Sequence, residues 1–158
     1  MQNEEILPTN LDSSESKKED IAERFKNERE KWTSDIKDIS LQFKNVDNIP
    51  DIQIELYSKR QVCTEYISRL YGIVFKLKKN YAVKWNKVNT ELMESSDYRY
   101  SEKERAKIAD EKTADSKMQL DILTSHIQFF QETVKGIDSM IFGVKHRLEA
   151  EHFRRGNK

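Results

Sequence analysis

The sequence predicts an all-α fold of long antiparallel helices with heptad-like seams, and three observations carry that reading. Apolar residues recur at spacings of three and four along most of the chain, the signature of one buried helix face. Four glycines and two prolines in 158 residues are too few for the turns that sandwiches, barrels or doubly wound sheets consume. Hydrophobic residues make up 36% of the chain against 35% charged, a balance that suits elongated helices around a modest core better than a globe.

Residues 1–18 are polar and acidic with no apolar period and are expected to form a tail without a fold. Residues 19–158 are expected to form a single helical domain. Its first helix, about 19–43, presents Ile21, Phe25, Trp32, Ile36, Ile39 and Phe43 on one face before Asn45 to Pro50 breaks it. A second helix, about 50–93, starts at Pro50, since a proline in the first turn lacks only an N–H that would have no helical partner. Its seam runs through Ile67, Leu70, Val74, Leu77, Tyr81 and Val88, with Cys63 at its start and Lys84 interrupting it.

Ser95-Ser96-Asp97 closes that helix, and Ser101-Glu102-Lys103-Glu104 reads as a capping box opening a third, about 102–153. Its first half is highly charged, with Ala106, Ile108, Ala109 and Ala114 as apolar contacts. From there Leu120, Leu123, Ile127, Phe130, Val134, Ile137, Ile141, Val144 and Leu148 occupy successive a/d positions without a break. A neighbouring register, Ile122, His126, Phe129, Thr133, Gly136, Met140 and Gly143, widens the apolar arc to roughly 160°, more than one partner helix covers. Two different neighbours are therefore predicted. Gly136 and Gly143 mark a flank where another backbone is expected to come close, and the stripe, extending toward Phe153, is expected to drive self-association.

Formal charge is zero overall, yet it is unevenly spread. Glu4, Glu5, Asp12, Glu15, Glu19, Asp20 and Glu23 face only Lys17, Lys18 and Arg24 at the start of the chain, whereas Ile73 to Lys87 holds five lysines and no acid. The single cysteine cannot form an internal disulfide, and no signal peptide or membrane-length apolar run is visible, so a soluble, cytoplasmic protein without membrane association is expected.

Chemistry is sparse. No Gly-rich phosphate loop is present, and His126, His146 and His152 do not fall at zinc-ligand spacings from one another or from Cys63. Cys63 reads as a small buried hydrophobe and His126 as a flank residue, with His146 and His152 exposed. No catalytic residue, metal or cofactor is expected. The informative cluster is Lys76, Lys78, Lys79, Tyr81, Lys84, Trp85 and Lys87: lysines neutralise phosphates, and interleaved aromatic faces can stack on the bases of a single strand. The same residues also fit a solvated helix surface. A second basic group, Lys145-His146-Arg147 with Arg154, Arg155 and Lys158, fits a phosphate contact or charge placed against the helix C-terminus.

Tyr57-Ser58-Lys59 opening a long helix, Lys78-Lys79 followed by Ala82-Val83-Lys84, Tyr100 before a Ser/Glu/Lys-rich start, and Phe142-Gly143-Val144-Lys145-His146 ahead of a Phe and a Gly together give the chain a family resemblance. Over roughly Ile52 to Gly156 it resembles the UvsY-type recombination mediators of T-even phages. The resemblance implies a non-enzymatic protein of DNA recombination, repair and replication that binds single-stranded DNA as a ring-like hexamer or heptamer. Such a protein helps load a RecA-like recombinase onto strands coated by the phage single-strand-binding protein, in the host cytoplasm. The family's Lys-x-Arg DNA-binding element matches at Lys84 after a one-residue insertion near Asn80; Asn86 stands in the arginine's place, with Lys87 next to it. The alternative function is a structural coiled-coil or adaptor protein whose lysines are merely solvated. A lysine-rich amphipathic helix lying on anionic lipid is a third reading, disfavoured by the long seam.

Overall fold

The computed structural model describes residues 15–43, 48–94 and 99–156. Among them the chain forms three helices and no strand: α1 (Glu15–Gln42), α2 (Ile49–Glu94) and α3 (Glu102–Gly156). The expected all-α architecture is therefore observed. α1 begins four residues before the predicted Glu19, and the remainder of the acidic tail lies outside the described residues, as do most of the break after Phe43 and the Ser95-Ser96-Asp97 stop.

Local chemistry accounts for the helix starts. Pro50 is the second residue of α2, where its missing N–H costs no hydrogen bond, and Asp51 places a carboxylate in the first turn beside the positive end of the helix dipole. At α3 the capping box is formed in full. The Ser101 N–H donates to Glu104 Oε2 at 2.8 Å, and the Glu104 N–H donates to Ser101 Oγ at 3.3 Å. Hydrogen bonding of the carboxyl to Ser101, to its backbone N–H first and its hydroxyl second, holds Glu104 below its usual range.

α2 and α3 pack antiparallel along their length. Arg60 Nε donates to Asp138 Oδ1 at 2.5 Å, Gln131 Nε2 to the Tyr71 hydroxyl at 2.8 Å, and Trp85 Nε1 to Asp110 Oδ1 at 2.8 Å, so rising numbers on one helix meet falling numbers on the other. α1 lies against this hairpin antiparallel to α2. Lys59 Nζ reaches Asp35 Oδ2 at 2.6 Å and the Tyr66 hydroxyl donates to Glu28 Oε2 at 2.8 Å, while at the far end of α1 an Arg147 guanidinium N–H donates to the Phe43 carbonyl.

Two apolar clusters form the core. One gathers Ile39, Ile49, Ile52, Leu56, Cys63, Phe130, Ile137 and Val144, and the other Phe25, Leu70, Val74, Leu120, Leu123 and Ile127. Each large side chain fully buried there contributes about 1.5–3 kcal/mol before chain entropy is subtracted. The two neighbours predicted for α3 are thus α1 and α2 of the same chain. Val134, Ile141 and Leu148 are half-buried against the first cluster, so every residue of the a/d stripe packs within the chain. The packing face also continues upstream of Leu120, through buried Thr113 and Ala109.

Two expectations need correction. Lys84 is exposed and does not interrupt the α2 seam; that place belongs to half-buried Trp85. Ile49, Leu56, Cys63 and Leu70 are fully buried at seven-residue intervals and Leu77 follows half-buried, but a straight helix of 3.6 residues per turn drifts about 20° per heptad, so the next heptad position, Lys84, has rotated out and the covered line passes through Val74, Tyr81 and Trp85. Gly136 and Gly143 are exposed, and nothing lies within 4 Å of a Cβ built on either. Neither α1 nor α2 makes the close approach expected on that flank.

Candidate nucleic-acid interface

The register of α1 leaves part of the hairpin uncovered. In both the Glu28–Tyr66 and Asp35–Lys59 pairs the residue numbers sum to 94, so Glu15 comes level with Lys79. From there to Glu94 the hairpin of α2 and α3 continues as a two-helix arm of about 24 Å, at 1.5 Å per residue. The lysine cluster straddles the base of that arm.

Lys76, Lys78, Lys79, Lys84 and Lys87 are all exposed. Lys87 Nζ stands 3.8 Å from Glu91 Oε1, one turn on, with both side chains largely in water, a contact worth little. Lys76, Lys78, Lys79 and Lys84 make no ion pair with any described residue. Helical geometry spreads them over the outer face and both flanks, so together they form a positive sleeve more than a single pocket.

The two aromatics expected to serve with them are occupied. Tyr81 is half-buried against the second core cluster, and the Trp85 indole bonds to Asp110 across the seam. Phe75 was missed and is 73% exposed. It stands three and four residues before Lys78 and Lys79, on the surface they share. Its phase shows this in the sequence: Val74 and Leu77 lie on the seam, and Phe75 points away from both. Tyr71, 49% exposed, continues the same surface one turn earlier and lines a shallow groove of about 310 Å³ with Val74, Lys78, Gln128 and Gln131.

Compared with known proteins, the chain matches no family model, no curated protein and no solved structure. Among the described residues no helix is long and apolar enough to cross a membrane, and no group of three or more His, Cys, Asp or Glu side chains is placed to hold a metal ion.

A second polar constellation lies in the core. His126 is fully buried, stacked on Phe25 at a ring separation of 3.9 Å and met edge-on by Phe130 and Tyr66. Its Nε2 is 3.1 Å from Glu28 Oε2 and 3.3 Å from the Tyr66 hydroxyl, which ties one residue from each helix into a single node. Burial pushes the Glu28 carboxyl upward, but the hydrogen bonds from His126 and Tyr66 outweigh it and leave the group below its ordinary value. Burial and the same carboxylate push the Tyr66 hydroxyl well up. Cys63, also in the core, is pushed up to about 12 by burial, against the attraction of Lys59. The node has the form of a structural clamp: a catalytic site would have to admit a substrate, and the His126 ring is enclosed by packing.

His146 and His152 are exposed, as expected. Arg147 is spent on the Phe43 carbonyl, and Arg154 pairs with Glu151 at 3.5 Å, so the C-terminal basic group is partly committed to the fold.

Proposed function

We propose that this chain binds single-stranded DNA through the lysine sleeve at the base of the α2–α3 arm and acts as a recombination mediator of the UvsY type. The observation that carries the binding part is the set Lys76, Lys78, Lys79 and Lys84, exposed and without an ion-pair partner among the described residues. Solvated lysines on a helix are ordinary when acids lie between them; here no acid falls from Ile73 to Lys87, and an exposed aromatic sits among them. Lysines that neutralise phosphates along a strand release its condensed counterions to solvent, and Phe75 supplies a stacking face that tolerates any base. Loading of a RecA-like recombinase onto strands coated by a single-strand-binding protein, and assembly as a ring-like hexamer or heptamer, rest on the family resemblance. Phe142 and Phe153 of α3, 63% and 75% exposed, are apolar groups that a second copy would meet with the a/d stripe already buried.

The adaptor reading draws on a specific observation too, the commitment of Tyr81 and Trp85 to packing. Anisotropy of a labelled oligo-dT separates the two. Replacing Lys76, Lys78, Lys79 and Lys84 together by Gln should flatten the salt dependence by about 2.8 in log K per log salt, at about 0.7 per phosphate contacted. Phe75→Ala should cost about 1–3 kcal/mol if one base stacks there. A wild-type protein that stays unbound at low salt, or a quadruple variant that binds like wild type, refutes the proposal.

A further inference from the structure

We infer that the acidic N-terminal segment Met1–Ser14 docks across the Lys76–Lys87 face of α2 and holds it as an intramolecular polyanion. Three observations lead there. The segment, which lies outside the described residues, carries Glu4, Glu5 and Asp12 and no basic residue. It enters α1 at Glu15, which the Glu28–Tyr66 and Asp35–Lys59 pairs bring level with Lys79. The flank of α2 also matches: Lys84 lies eighteen residues beyond Tyr66, five complete helical turns, and so continues the flank that α1 covers.

Reach is not limiting. Lys87 is eight residues beyond Lys79, about 12 Å along the helix axis, and fourteen extended residues span up to roughly 50 Å. Lys76, Lys78, Lys79 and Lys84 have no competing ion-pair partner among the described residues. A short tether gives an effective concentration in the millimolar range, and three exposed ion pairs at their strongest give a dissociation constant of about the same order, so the face is covered about half the time. The docked segment therefore weakens binding of an incoming polyanion about twofold. Strands that offer many phosphates displace it readily, while short or isolated anions bear the full twofold competition. This competitive role rests on the nucleic-acid reading above; the contact itself does not.

Zero-length carbodiimide coupling of the full-length chain, followed by peptide mapping, tests the contact directly. At low salt, amides are expected between Glu4, Glu5 or Asp12 and the lysines of the 76–87 face, fading at high salt as the charges are screened. Mixing isotopically labelled with unlabelled protein should show both halves of each link coming from one chain. Links that are missing, scattered evenly over the other lysines, or formed only between chains overturn the inference. In parallel, the full-length variant Glu4→Gln/Glu5→Gln/Asp12→Asn should bind oligo-dT about twofold tighter than wild type at low salt and equally at high salt; unchanged low-salt affinity overturns the competitive role. If wild type binds no oligonucleotide, the nucleic-acid reading fails and the cross-link map alone decides the docking contact.

Discussion

Tyr66→Phe should isolate the energy of the clamp that joins the three helices. The substitution keeps the ring that packs edge-on to Phe130 at 4.8 Å and removes only the hydroxyl, which donates to Glu28 Oε2 at 2.8 Å and lies 3.3 Å from His126 Nε2. A hydrogen bond to a charged acceptor contributes about 1.5–3 kcal/mol. The Glu28 side chain is 32% exposed, so water partly replaces the lost donor and the expected loss is near the lower limit, about 1.5 kcal/mol. Urea unfolding followed by circular dichroism at 222 nm should show a lower midpoint at unchanged slope. The pH dependence supplies an independent sign. The Tyr66 hydroxyl is raised above 10.0, so wild type should lose stability as pH rises past that value, because the unfolded chain ionises there first. Tyr66→Phe should remove the Tyr66 share of this alkaline loss and leave the share of Cys63, whose buried thiol is also raised. Glu28 is lowered from 4.5, so its contribution is present above that pH and fades as pH falls through the folded value. A Tyr66→Phe protein within about 0.3 kcal/mol of wild type, or one whose effect simply adds to that of Glu28→Gln, would refute the clamp.

Phe130→Ala should be among the most destabilising single changes, by about 3–5 kcal/mol in the same unfolding assay, since the ring is fully buried among Trp32, Tyr66, His126 and Phe129. Ser101→Ala should cost about 1 kcal/mol and speed hydrogen exchange at the Glu104 amide, which loses its acceptor. Cys63 is fully buried with its thiol pushed up to about 12, so at pH 8 Ellman's reagent should label it only as fast as the protein opens, and the rate should climb with urea.

The helices were legible because each carries its own period, and α3 had the clearest signal. Its arc beyond a single seam correctly demanded two partners, but periodicity cannot say whether a partner belongs to the same chain. The answer came from α1, whose Phe25, Trp32 and Ile39 face the core at spacings already visible in the sequence. Lys84 was misplaced because the heptad that holds from Ile49 to Leu77 was extended one step too far along a helix that turns every 3.6 residues, which also hid Trp85 in the seam. The clamp was not legible at all. Glu28, Tyr66 and His126 are far apart in the chain, and although His126 falls on the apolar flank of α3, nothing pairs it with Glu28 and Tyr66 until the helices are docked.

The register of α1 against the hairpin has a practical consequence for handling the protein. Asp110 meets Trp85 across the arm, and α3 continues from there to Gly156, about 70 Å at 1.5 Å per residue. The described fold therefore ends at unequal distances from the lysines: Glu15 stands level with Lys79, and Gly156 lies far along α3. A fluorophore attached at Gly156 stands clear of that face, whereas one attached at Glu15 sits beside it and would alter the binding it was meant to report.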